Sequence, residues 1–284
     1  MDRRRFLGVA PLLLAASRSQ ADVLPRRVVC LGGTVTEIAF ALGCGARVAG
    51  VDDSSVFPAA ALKLPRVGYY RSFAVEGVAS LSPDLVLASE HAGPPQAFAQ
   101  LRELGIPIVT VPSDPLVDSL VRAIGIVADE LGASREGAAL AEEIRLGVAR
   151  ADQQRPGGPP MRVLLLSSHT GRLQAAGRET AADAMLALAG ARNVFDSQSG
   201  YKAISAEMVA ALKPDAIVTT RMTLRALGSL DAFVAQPGVA VTPAARSGRI
   251  VVMEDLLLLG FGPRLPHALQ RLQDGLAGRA GAGG

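Results

Sequence analysis

Short apolar runs alternate with amphipathic segments along much of the chain. The runs "RVVCLGG", "ARVAGVD", "PDLVLAS" and "IPIVTVP" predict buried strands, and "TVTEIAFALG" and "PPQAFAQLRELG" predict helices between them. Thr34 is the predicted N-cap of the first of these helices. Because strands that alternate with helices are typical of a parallel sheet, this part of the chain predicts an α/β unit.

The alternation stops between residues 116 and 155, where strand signals almost vanish. "LVDSLVRAIGIVADELG" and "SREGAALAEEIRLGVARADQQ" predict two helices, and the second is long and amphipathic. After the breaker "RPGGPP" the alternation resumes with "MRVLLLSS" and ends in a helix at "RLPHALQRLQDGL". We predict two Rossmann-like α/β lobes with parallel sheets, residues 22–133 and 156–284, joined by a single stiff helix at 134–155.

A weak internal repeat supports two lobes. "EGVASLSPDLVLAS" aligns with "EMVAALKPDAIVTT", which places Glu76 on Glu207 and Asp84 on Asp215 at a constant offset of 131 positions. Both copies predict a helix, a Pro-Asp turn and a strand. Since Pro and Asp suit turns in any such unit, chance similarity is the alternative, and we favour duplication.

The first 21 residues have the pattern of an export signal. A basic start precedes the apolar stretch "FLGVAPLLLAA" and a small-residue cleavage site that ends at Ala21, and "RRRFLG" is similar to a twin-arginine signal. The alternative is a disordered basic tail. Without this segment, which contains four arginines and one acid, the formal net charge falls from +3 to zero. We therefore expect a soluble periplasmic protein with no nucleic-acid partner and no membrane insertion.

Two cysteines remain, Cys30 in a strand-like run and Cys44 at the end of a predicted helix. An oxidising compartment permits a disulfide between them. We favour two buried free thiols, because a bridge requires a Cα spacing that the sequence does not define.

Motifs for catalysis are weak in this sequence. "CLGGTVTE" places a Gly-rich turn after the first strand, where it could hold a phosphate, but it lacks the spacing of dinucleotide-binding and P-loop motifs. "SSHTG" is not a nucleophile elbow, and the three histidines are too scattered for a zinc site. These motifs do not favour an enzyme, and a nucleotide-dependent enzyme is the alternative from another class to the binding protein that the resemblance below implies.

Five segments resemble the periplasmic haemin-binding proteins of bacterial ABC importers. They are "VVCLGGTVTEIAFALGCGARVAGVD", "LPRVGYYRSFAVEGVASLSPDLVLAS", "SHTGRLQAAGRETAADAMLALAGARNV", "GYKAISAEMVAALKPD" and "LLLLGFGPRLP". The resemblance implies a monomeric class III periplasmic binding protein. It also implies that the chain carries ferric haem (protoporphyrin IX) to an inner-membrane ABC permease/ATPase complex. "VTEI" and the paired "L-x-P-D" segments identify only the wider family, so a binder of cobalamin or a ferric siderophore is the alternative.

The pair of tyrosines in "GYYR" fits this ligand. Ferric iron is a hard cation that favours anionic oxygen, and a phenolate supplies it. Because the pKa of free tyrosine is about 10, nearby positive charge is needed. In an extended segment residues 69 and 71 point to the same side, which places Arg71 against the Tyr69 oxygen. The family pattern of glycine, ligand tyrosine, any residue and arginine also begins at Gly68. We predict Tyr69 as the iron ligand and Tyr70 as a packing wall.

Further candidates follow predicted strands. His169 follows "MRVLLLSS", and the carboxyl ends of strands open onto the ligand crevice, so His169 is a second candidate iron ligand. A histidine that only hydrogen-bonds its own loop is the alternative. His91 is a candidate at the rim, and His267 is predicted to be ordinary surface. Tyr201 is a candidate for packing on the porphyrin, and Lys202 and Arg172 for contacting a propionate.

The resemblance also implies that Glu76 and Glu207, one on each lobe, dock into arginines of the permease. Two separated carboxylates on rigid lobes give orientation more than affinity. The alternative is that the helix dipole alone favours acids at these N-termini.

Overall fold

The computed structural model describes residues 24–155, 157–168 and 171–279. Its first sheet has the order β2-β1-β3-β4, and all of its strand pairs are parallel. Three helices alternate with these strands, as the apolar pattern predicts. The elements are β1 (Val28–Leu31), α1 (Gly33–Ala41), β2 (Val48–Val51), α2 (Val75–Ser80), β3 (Leu85–Ser89), α3 (Pro95–Glu103) and β4 (Ile108–Val111), with 3₁₀ helices at Gly45–Arg47 and Ala59–Lys63.

Two helices follow the first sheet without an intervening strand. They are α4 (Val117–Glu130) and α5 (Ser134–Gln153), and α5 is 20 residues long. The two predicted helices are thus confirmed, whereas the lobe limits at residues 133 and 156 stay predictions.

The second sheet repeats the parallel order of the first and adds two antiparallel strands. In it β10, β9, β5 and β7 take the places that β4, β3, β1 and β2 have in the first sheet. The prediction of two α/β lobes with parallel sheets is confirmed, whereas the antiparallel β6 and β8 were not predicted. The elements are β5 (Arg162–Ser167), β6 (Gln174–Ala176), α6 (Ala181–Leu188), β7 (Arg192–Asn193), β8 (Tyr201–Ala203), α7 (Ala206–Leu212), β9 (Ala216–Thr220), α8 (Arg221–Leu227), α9 (Leu230–Val234), α10 (Pro237–Ala240), α11 (Pro243–Arg246), β10 (Ile250–Met253), α12 (Asp255–Leu259) and α13 (Leu265–Leu276).

The internal repeat has a structural counterpart. Ser82 and Lys213, which are 131 positions apart, both follow a helix with a left-handed φ of 45°. Asp84 then accepts hydrogen bonds from the backbone N–H groups that lead into β1, and Asp215 accepts one from Arg162 at the start of β5. Each Pro-Asp turn therefore fastens the amino end of one strand to the start of its parallel neighbour.

The N-cap prediction at Thr34 is wrong. Gly32 precedes α1 with a φ of 125°, and no side chain caps the helix. The Thr34 hydroxyl instead donates to the carbonyl oxygen of Gly260 in the second lobe, 2.6 Å away. The Thr34 hydroxyl, which the local pattern predicts to cap α1, thus forms a hydrogen bond with a residue distant in sequence.

Both cysteines are buried free thiols. Burial raises the pKa of Cys30 to about 12, so this thiol stays protonated at neutral pH. Within the described residues, no helix combines the length and the apolar character needed to cross a bilayer. The predicted export signal at residues 1–21 lies outside the described residues.

Candidate functional site

The "GYYR" segment lies at the carboxyl end of β2. The backbone N–H of Val67 donates to Val51, and the N–H of Asp53 donates to the carbonyl of Gly68 at 2.9 Å. Gly68 has a φ of 92°, a left-handed conformation that glycine adopts without a steric cost. Hydrogen bonds to β2 therefore hold the tyrosine pair at the edge of the sheet where ligands bind in open α/β folds.

Tyr69 and Tyr70 occupy different environments. Tyr69 exposes 45% of its surface, whereas Tyr70 is half-buried against the apolar cluster that contains Val67 and Phe73. Their rings meet edge to face with centroids 4.7 Å apart. Tyr69 is therefore the more exposed of the two rings, and Tyr70 packs against its edge.

Arg71 forms its hydrogen bond with Tyr70. The alternation of an extended strand predicts Tyr69 as its partner instead. Its Nε donates to the Tyr70 hydroxyl at 2.9 Å, and its guanidinium carbon lies 5.4 Å from the centre of the same ring. The cause is a turn: the N–H of Ser72 donates to the carbonyl of Tyr69 at 2.8 Å. Within a turn residues two apart no longer share a side, so Arg71 donates its hydrogen bond to Tyr70, while its positive charge still acts on Tyr69.

The Tyr69 hydroxyl is protonated in the free protein. Burial and then the neighbouring Tyr70 raise the pKa of Tyr69 to about 12, and these effects outweigh the positive charge of Arg71. A ligand that binds the phenolate must therefore displace a proton. A metal cation supplies the opposite charge that makes this displacement favourable.

The second lobe gathers another group of candidates on its antiparallel strands. β6 pairs with the carboxyl end of β5, and β8 pairs with β6 through Lys202 opposite Ala175 and Tyr201 opposite Ala176. Arg172 is exposed and lies two residues before β6. Tyr201 exposes 38% of its surface, yet surrounding atoms desolvate its hydroxyl and raise its pKa to about 12. Tyr201 and Lys202 thus belong to a strand, β8.

The three histidines lie in different parts of the chain. His169 lies outside the described residues. His91 is exposed two residues after the end of β3, and the nearby Gly93 donates its N–H to the carbonyl of Tyr70, so this loop adjoins the tyrosine pair. His267 is exposed on α13. Among the described residues, no group of three or more His, Cys, Asp or Glu side chains is arranged to hold a metal ion.

An arginine joins the two lobes beside the first strand. Arg264 in the second lobe donates to the carboxylate of Glu37 on α1, whose side chain is only 3% exposed. The same guanidinium lies 3.4 Å from Glu254 and covers the ring of Phe57. Burial raises the pKa of Glu37, although Arg264 opposes this shift. Arg264, Glu37, Glu254 and Phe57 are called the interlobe clasp below.

The family model for periplasmic binding proteins matches residues 28–256. This chain belongs to that family.

Relatives of this periplasmic binding protein include solved structures. It is 39% identical to the periplasmic haem-binding protein RhuT from Roseiflexus sp. RS-1 in apo form, covering 90% of this chain and 99% of that one with a TM-score of 0.85. It is 41% identical to the periplasmic haem-binding protein BhuT in complex with two haems, covering 89% and 98% with a TM-score of 0.84. It is also 30% identical to the vitamin B12-binding protein of Yersinia pestis, covering 75% of this chain and 78% of that protein.

The two glutamates of the repeat open equivalent helices of this binding protein. Glu76 is exposed in the first turn of α2, and Glu207 is exposed in the first turn of α7. Hydrogen bonds from its own backbone N–H and from Ser205 hold the pKa of Glu207 below its usual range, so this carboxylate is charged at neutral pH. Each copy of the repeat thus places an exposed acid in the first turn of its helix.

Two residues near the tyrosine pair and in the interlobe clasp, Asp52 and Arg264, were not predicted from the sequence. Asp52 follows β2 directly, and the strand-end rule that selected His169 would also have selected it. Arg264 was part of the quoted segment "LLLLGFGPRLP", but only its contact with a carboxylate 227 positions away reveals its role.

Proposed function

We propose that this chain is a periplasmic solute-binding protein that binds ferric haem between its lobes and delivers it to an inner-membrane ABC permease. The observation that carries the proposal is the exposed Tyr69 phenol, held by β2 at the carboxyl edge of the first sheet. The likeness to solved haem-binding proteins across nearly the whole chain supports the choice of ligand.

Tyr69 is the proposed axial ligand of the iron. A phenolate is a hard anionic oxygen suited to ferric iron, and the metal charge offsets the raised pKa of Tyr69. Tyr70 and Arg71 support the ligand without binding the iron, since the Arg71–Tyr70 hydrogen bond places a positive charge close to the bound phenolate. Tyr201, Lys202 and Arg172 are the proposed contacts of the porphyrin and its propionates in the second lobe, and His169 is a second candidate ligand.

Delivery uses Glu76 and Glu207. We assign to them the docking of the loaded protein on the permease/ATPase complex, because each is exposed at the start of an equivalent helix. The proposed protein is a monomer that is exported by a twin-arginine-like signal and cleaved near Ala21. It performs no reaction on its cargo.

Titration of the purified mature protein with haemin, followed by absorption spectroscopy, tests the proposal. We expect a saturable spectrum of the high-spin ferric tyrosinate type. Tyr69→Phe removes that signature, whereas the matched Tyr70→Phe keeps it because Tyr70 is not the ligand. An unchanged spectrum in Tyr69→Phe overturns the ligand assignment.

Cobalamin is the second candidate cargo, favoured by the likeness to a vitamin B12-binding protein. The same titration with cyanocobalamin separates the two. Saturable binding of cyanocobalamin that excludes haemin would replace the haem proposal, and Tyr69 would then be a packing residue.

A further inference from the structure

Asp52 is a fully buried carboxylate at the carboxyl end of β2. Its Oδ1 accepts hydrogen bonds from the N–H of Gly32 at 3.0 Å and the hydroxyl of Ser55 at 2.8 Å. Its Oδ2 accepts from the N–H of Ser54 at 2.9 Å, the hydroxyl of Ser54 at 2.7 Å and the N–H of Tyr70 at 3.2 Å. Three separate segments therefore converge on one side chain.

The carboxylate of Asp52 is stabilised by hydrogen-bond donors and not by an opposite charge. A buried carboxylate is costly unless its lone pairs are satisfied, and here N–H and O–H donors surround both oxygens. Arg66 donates from Nη1 to the backbone carbonyl of Asp52 at 2.6 Å and not to the carboxylate. In the described part of the chain Asp52 forms no salt bridge. These hydrogen bonds favour a single conformation of the segments that donate them, because every donor has the same carboxylate as its acceptor.

One of these donors belongs to the peptide group that links Tyr69 to Tyr70. The N–H of that group donates to Asp52, and its carbonyl oxygen accepts from the N–H of Ser72 at 2.8 Å. The preceding carbonyl, on Gly68, accepts from Asp53 at 2.9 Å. The backbone on both sides of the Tyr69 Cα is therefore fixed relative to β2.

We propose that Asp52 is a positioning residue for the Tyr69 ligand, fixing the direction in which the phenol oxygen meets the iron. This inference rests on the proposed haem-binding function. Its action is geometric, since a negative charge near Tyr69 opposes the loss of the phenol proton and so cannot help to form the phenolate. The hydroxyls of Ser54 and Ser55 orient the carboxylate in turn, and the hydroxyl of Ser55 is itself 2.7 Å from that of Thr36 on α1.

Asp52→Asn tests the inference because it keeps the size of the side chain but replaces one acceptor oxygen by an amide donor. We expect a folded variant whose ferric tyrosinate absorption and electron paramagnetic resonance signals shift or broaden. We also expect haemin affinity to fall by about 10–100-fold, as for other residues that orient a metal ligand. Asp84→Asn is the matched control, since Asp84 accepts two backbone N–H bonds near the opposite, amino end of the same sheet. Its spectrum and affinity should equal those of the wild type.

The outcomes separate the two proposals. If the wild type shows no saturable haemin binding, the proposed function fails. If the wild type binds and Asp52→Asn retains its spectrum and affinity, the positioning role fails while the function stands. Should Asp52→Asn not fold, Ser55→Ala removes one donor to the carboxylate and keeps the charge. A smaller change in the same direction then supports the inference, and wild-type signals overturn it.

Discussion

The guanidinium carbon of Arg264 lies 3.7 Å from the centre of the Phe57 ring. At this distance the cation and the ring face attract each other, and the same guanidinium also neutralises the buried Glu37. Phe57 and Glu37 belong to the first lobe and Arg264 to the second. One side chain of the second lobe is thus tied to the first by an ion pair and a cation–π contact.

Removing Arg264 should destabilise the protein strongly. Arg264→Met leaves the Glu37 carboxylate buried without its partner, and we expect the free energy of unfolding to fall by about 3 kcal/mol. Urea denaturation followed by circular dichroism measures this loss. Arg145→Met is the control, because its ion pair with Glu142 is more than half exposed and should change stability by less than about 0.5 kcal/mol. Equal effects in the two variants would contradict the structural role of the clasp.

Haem affinity should weaken as the pH falls. The pKa of Tyr69 in the free protein is raised to about 12, so formation of the iron–phenolate bond below that pH releases a proton. One released proton weakens binding by at most about tenfold for each unit of decreasing pH. Competition titrations between about pH 6 and 8 measure the slope. Tyr69→Phe is the reference, since ionisations of haemin itself affect both proteins. The same slope in both would refute the coupling.

Reversing the charges of Glu76 and Glu207 should impair transport without altering haemin binding. Both acids are exposed, so Glu76→Arg and Glu207→Arg leave the fold and the cleft intact. Haemin uptake by cells that carry this chain and its importer is the measurement. Glu136→Arg is the matched control, because Glu136 is also an exposed acid in the first turn of a helix, α5. Uptake that survives both reversals would refute docking, and loss of uptake in the control would show that the effect is not specific to Glu76 and Glu207.

Glycine at Lys213 should stabilise the protein. Lys213 is exposed and has a left-handed φ of 45°. Lys213→Gly should raise the free energy of unfolding by roughly 0.5–1 kcal/mol, since the steric cost of this conformation exceeds the extra freedom of the unfolded chain. Ala211→Gly, at an exposed position inside α7, should instead lower it by about 1 kcal/mol. Thermal or urea unfolding compares the two, and a loss of stability in both would count against the left-handed assignment.

The layout of the fold could be predicted because apolar runs long enough to be buried strands recur between amphipathic helices. "MRVLLLSS" became β5 and "PDAIVTT" became β9. β6 and β8 could not be predicted in this way, since each has only three residues and is too short to show an apolar pattern of its own. The same limit applies to Thr34, whose partner is 226 positions away.

At the site, the sequence predicted which segment matters but not how its side chains point. "GYYR" was singled out by its rare aromatic residues, yet the turn at Tyr69 directs Arg71 to Tyr70. Asp52 and Arg264 were missed because their importance lies in what converges on them. The five donors to Asp52 come from three segments, and no local pattern brings them together.

The largest of the apolar clusters in the described structure contains residues of both sheets. It includes Val28 of β1, Ile144 of α5, Val163 of β5 and Leu269 of α13, all at most 1% exposed. Prising the halves widely apart would hydrate this shared interior at a cost that grows by about 25 cal/mol for each square ångström uncovered. Wide separation of the two lobes is therefore costly, and we expect the cleft proposed above to open only by small displacements at its rim.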